Sequence, residues 1–138
     1  MSFQEKNGWW YGALAIVLPA IYAAIVFPQV ATTAVNEIEY IRPLITVVVL
    51  ALALNIAGAI ALSIATRERG KEDERDRTIA RRSDLAGYYT LAAAVIGALA
   101  ITMARFDPFW IANAIYGAFI LSALITTVVK LTAYRQGV

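Results

Sequence analysis

Between positions 67 and 84 the chain reads RERGKEDERDRTIARRSD, and this stretch holds the side chains best equipped for chemistry. Asp73, Glu74, Asp76 and Asp84 supply carboxylates of the kind that ligate a divalent cation or exchange protons with a substrate. The same stretch carries seven of the twelve Lys and Arg and six of the ten Asp and Glu, so every carboxylate has a cation within a turn or two. Neutralised in this way, and with no second set of positioned groups beside them, the acids point to ion pairing rather than catalysis. The chain has no His and no Cys, which removes thiolate nucleophiles, disulfides, haem attachment and the usual zinc ligands. We therefore expect no catalytic residue, no metal and no cofactor, in a protein that is not an enzyme.

The elements that hold this segment are apolar. Of 138 residues, 60% are hydrophobic and 16% charged, against roughly 45–50% and 25% in soluble domains, so the solvent is lipid. Four runs are long enough to cross a bilayer, at about 9–27, 44–65, 85–104 and 109–129. The first is too long for the apolar part of a signal peptide and is read as a retained helix, with a kink expected at Pro19 and an end at Pro28. Trp9, Trp10 and Tyr11 at its start suit the interfacial belt. Pro43 and Pro108 suit the first turns of the second and fourth helices.

Small residues recur every fourth position in three of the runs: Ala53, Ala57, Ala61 and Ala65; Thr90, Ala94, Ala98 and Thr102; Ala114, Ala118, Ser122 and Thr126. Such stripes let helix backbones approach closely and predict a compact four-helix bundle. The link between the last two helices is so short that they must form an antiparallel hairpin. The fold class is thus all-α, an integral membrane four-helix bundle in one domain, 1–138.

Orientation follows from the basic residues. Lys6, the seven in 67–84, Lys130 and Arg135 fall on one side, and only Arg42 and Arg105 on the other, which predicts cytoplasmic N and C termini in a multi-pass protein of the cell membrane. Within the segment 67–84, Gly70 is a plausible end for a prolonged second helix, a third helix starting near Glu72 is the simplest picture, and Ser83 and Asp84 mark a break. Asp73 and Glu74 are spaced to pair with Arg77, and Ile79 faces inward. Arg67, Arg69, Lys71, Arg81 and Arg82 lie near the headgroups, where each gains about 1 kcal/mol from anionic lipid.

FQEKNGWWY at the start, DERDRTIARR in the middle and FWIANAIYGAFILSALITTVVKLTAYRQG at the end together resemble a group of small four-helix integral membrane proteins of bacteria and archaea, a family without an assigned biochemical role. The resemblance covers nearly the whole chain. Its most specific part is Asp-x-Arg-Asp-x-x-Ile, formed by Asp73, Arg75, Asp76 and Ile79, followed by 109–116. A helix-turn-helix regulator as cytoplasmic partner is what the resemblance implies.

Asp73, Arg75, Asp76, Arg77 and Ile79 are the candidate surface. They dock a partner protein or a second copy of the chain, or else clamp the loop against the base of the bundle. The mixed charge, net +2, offers no uniform positive surface, so direct nucleic-acid binding is not expected. No ionised residue lies inside a predicted span; the intramembrane polar exceptions are Asn55 and Asn113, too different in depth to bond each other. Two functions follow: a membrane scaffold or regulator acting through 67–84, or a small dimeric transporter or resistance factor with a cavity lined by Asn55, Asn113 and tyrosines.

Overall fold

The computed structural model describes residues 3–66 and 74–137. Among these the chain is all-α: α1 Phe3–Val26, α2 Ile41–Thr66, α3 Glu74–Met103 and α4 Pro108–Gln136, with no strand. Each helix contains an apolar window long enough to cross a bilayer, which makes this a multi-pass membrane protein. In the α2 window only 6% of residues are buried within the protein, so most of that helix is left to lipid.

The helices exceed the apolar runs at the end that carries the two termini. α1 begins at Phe3 rather than near 9 and passes without interruption through Pro19; α4 continues to Gln136 rather than ending near 129. α3 starts at Glu74, close to the expected start near Glu72 and well ahead of its apolar run at 85. No break occurs at Ser83 and Asp84. Glu, Arg, Ala and Leu dominate this stretch and propagate a helix well, and Ser83 donates its hydroxyl to the Ile79 and Ala80 carbonyls, both at 2.9 Å, instead of capping a new turn. The proposed end of the second helix at Gly70 lies outside the described residues.

Packing runs in series, α2 on α1, α1 on α4 and α4 on α3. The α3–α4 seam is the tightest. Gly87 lets Ser122 donate its hydroxyl to the Gly87 carbonyl at 2.7 Å, with Thr126 against the same glycine. Ala98 and Ala118 are buried, as their stripes predict. On α2 the expected stripe does not pack: Ala53, Ala57, Ala61 and Ala65 are all exposed, and the face toward α1 is Val47, Ala51, Leu54 and Gly58. A helix apolar all round gives no sign of which side meets protein, so the stripe alone could not orient it.

α1 meets its neighbours through glycines. Gly8 lies on the Lys130 side chain and Gly12 on Thr127, so α1 and α4 approach closely there. Trp10 sits in the α1–α2 joint: its indole N–H donates to the Leu54 carbonyl at 3.0 Å, over the space left by Gly58.

The best-buried core lies at the opposite end from the termini. Tyr22, Val26, Ile38, Val47 and Phe109 form it, with Tyr40, Leu44 and Tyr116 packed alongside. The connection from α1 to α2 folds over this end through two 3-10 turns, Phe27–Ala31 and Val35–Glu37. Pro28 therefore opens a 3-10 turn one step after α1 has ended at Val26.

The α3–α4 hairpin turns through Arg105, which has φ 60. Arg105 N–H bonds the Thr102 carbonyl at 3.1 Å and Phe106 N–H bonds that of Ile101 at 3.3 Å, the paired bonds that close a helix around a left-handed residue. Asp107 then caps α4 by accepting from the Phe109 N–H at 3.0 Å, ahead of Pro108. A side chain at positive φ costs about 1 kcal/mol relative to glycine. Arg105→Gly should accordingly stabilise the protein by about that amount, measured as a rise in the unfolding midpoint in detergent micelles.

Candidate functional site

The last turns of α4 meet charged and polar side chains of both α3 and α1. Tyr134 donates its hydroxyl to Asp76 Oδ1 at 2.5 Å, and the Arg75 guanidinium lies 5.8 Å from the Tyr134 ring centroid. One α4 side chain thus receives both central members of the Asp-x-Arg-Asp pattern. Toward α1, Lys130 is buried and its Nζ donates to Gln4 Oε1 at 3.4 Å, while the Arg135 guanidinium lies 5.7 Å from the Trp9 ring centroid. Lys130, Tyr134 and Arg135 tie α4 to the first turns of both α1 and α3.

The start of α3 has two faces. Ile79 and Ser83 point inward and are buried, with Gly87 one further turn along. Glu74, Arg75, Arg77, Arg81, Arg82 and Asp84 are exposed. Glu74 and Arg77, spaced for an ion pair, do not form one with each other. Arg77, Arg81, Asp84 and Tyr88 instead line a shallow recess along the helix. Asp73 lies outside the described residues, so its pairing with Arg77 does too. Among the described residues no three acidic side chains converge as metal ligands would.

The intramembrane amides are separate from this end and from each other. Asn113 accepts from the Tyr22 hydroxyl at 2.7 Å and donates to the Phe109 carbonyl at 2.7 Å, which joins α1 to α4 beside the core. Tyr116 packs edge-on against Tyr22, with ring centroids 5.3 Å apart. Asn55 donates to the Ala51 carbonyl of its own helix at 2.8 Å and faces a groove between α2 and α4, floored by α1. That groove holds about 640 Å³ and is lined from Tyr11 to Pro19, from Leu44 to Asn55 and from Ala112 to Ala123. Tyr11, Tyr116 and Asn55 reach it; Asn113 does not.

Sequence reasoning missed Tyr134 as the partner of the charged segment, because it is 58 residues from Asp76 and reads as an ordinary exit tyrosine. It also missed the groove, which no local pattern announces. Gly8 and Gly12, four apart beside the Trp pair, are a small-residue signal that would have identified the α1–α4 contact.

No family model matches the chain, and neither does any curated protein or solved structure.

Proposed function

We propose that this chain is a non-enzymatic protein of the cell membrane, a scaffold or regulator, with both termini and the segment 67–84 on the cytoplasmic side, and that the charged first turns of α3 dock a soluble partner. The observation that carries the reading is the length of α3. Its 30 residues extend about 45 Å at 1.5 Å per residue, against a hydrocarbon core of about 30 Å. The excess is the charged stretch 74–84, already helical and held to α4 through Ile79, Ser83 and the Tyr134–Asp76 bond, so a partner meets an ordered surface and little entropy is lost on docking. Its exposed charges are Arg75, Arg77, Arg81 and Arg82 against Glu74 and Asp84, a surplus that selects an acidic face on the partner. The orientation is supported by the ten basic residues at this end. A helix-turn-helix regulator is the partner the family resemblance implies.

Affinity purification from native membranes tests this. The wild-type chain should bring down a soluble protein that Arg77→Glu with Arg81→Glu loses and Asn55→Ala keeps. An unchanged set of co-purifying proteins in the charge-reversed chain would end the docking reading. The second reading, a small dimeric transporter or resistance factor, draws on the groove beside Asn55. It requires the reverse outcome: loss of transport or protection in Asn55→Ala, with both intact after charge reversal.

A further inference from the structure

We infer that the groove between α2 and α4 is a resident lipid site that holds the acyl chains of one membrane phospholipid. The groove lies within the apolar windows of three spanning helices, so hydrocarbon and not water is at its mouth. Its polar lining is limited to the Asn55 amide, whose N–H is committed to the Ala51 carbonyl, and the phenols of Tyr11 and Tyr116. Ordered water needs two to four polar partners at one point, and this lining does not provide them.

Length selects the occupant. From Leu44 to Asn55 on α2, and from Ala112 to Ala123 on α4, the groove extends about 16 Å at 1.5 Å per residue, roughly one leaflet of a 30 Å hydrocarbon core. A spanning helix from a second copy is straight and about twice as long. It would run into the end of the gap, where Ile38, Tyr40 and Phe109 already join α4 to the connection between α1 and α2. A flexible chain can turn away below that cluster. The site also has something to gain from being filled: α2 is held chiefly by α1, so matter packed between α2 and α4 fixes the angle at which α2 stands.

Native mass spectrometry of the full chain released from dioleoyl phosphatidylglycerol nanodiscs tests the inference. One phospholipid per chain should remain bound. Ala51→Trp and Ala112→Phe, which fill the groove from opposite walls, should each lose it while retaining wild-type helicity. A second measurement needs no variant: dioleoyl-type phospholipid carrying a mid-chain nitroxide should broaden the methyl resonances of Val48 and Ile120 in the groove more than those of Ile56 and Val128 on the outer surface. Absence of retained lipid, equal retention in both filled variants, a second polypeptide in place of the lipid, or equal broadening at all four residues would each overturn the assignment. These readouts are indifferent to the charge-reversed chain, so the docking proposal stands or falls apart from them.

Discussion

Phe109→Ala should lower stability by about 3 kcal/mol, the low end of the range for removing a large aromatic from a protein interior. Phe109 is completely buried and packs edge-on against Tyr40 and Trp110, with centroids 5.3 and 5.0 Å away, and more distantly against Phe27 at 6.4 Å. It thereby joins the start of α4 to the folded connection between α1 and α2. Between helices in lipid the removed ring exchanges protein contacts for lipid contacts rather than for water, so the loss is one of packing and falls below the upper range. Reversible unfolding in mixed micelles, followed by circular dichroism, would read the change. A cost below about 1 kcal/mol would mean that the cluster closes over the missing ring and that Phe109 is not its anchor.

Gly87→Val should have an effect of similar size by the opposite route, overpacking, at about 2–3 kcal/mol. A side chain at Gly87 would overlap Thr126 and press on the Ser122 carbonyl at 3.3 Å, which parts the α3–α4 seam and breaks the Ser122–Gly87 hydrogen bond. Gly97 on the same helix supplies the control, since nothing stands within 4 Å of a Cβ added there. Gly97→Val should therefore leave the unfolding midpoint nearly unchanged. Valine is a better helix former than glycine, so equal destabilisation by both substitutions would mean that the close crossing at Gly87 carries no special weight.

Why these two residues were not singled out in the sequence is itself physical. Length and hydropathy specify the four helices, because only a continuous apolar run of about 20 residues crosses a bilayer, and nothing in 44–65 or 109–129 offers another reading. The same uniform apolarity erases the 3.6-residue alternation that shows which face is inside, and so the alanines of α2 were assigned to packing although they face outward. Gly87 falls outside the every-fourth-residue stripe that starts at Thr90, and nothing local to Phe109 shows that the distant Tyr40 packs against it. In the charged segment, the intrinsic preference of Glu, Arg and Ala for helix and the inward Ile79 are legible and place the start of α3 within two residues; the continuity of that helix through Ser83 and Asp84, both common caps, is not. The contact between Asp76 and Tyr134 joins positions that only the α3–α4 hairpin brings together, and no spacing rule connects them.

The serial packing of the helices has a consequence for how the chain is made. α1 with α2 and α3 with α4 are two neighbouring pairs, each closed by contacts between residues near in sequence, and α1 against α4 is the one broad surface that joins positions from the two ends of the chain. During synthesis the first pair is complete before the second has left the ribosome, and the meeting of α1 with α4 waits until α4 itself has been made. Gly8, Gly12 and Trp9, which receive Lys130, Thr127 and Arg135, therefore stay without those partners until α4 is in place. The first turns of α1 are made before the other three helices and find their place only after all of them.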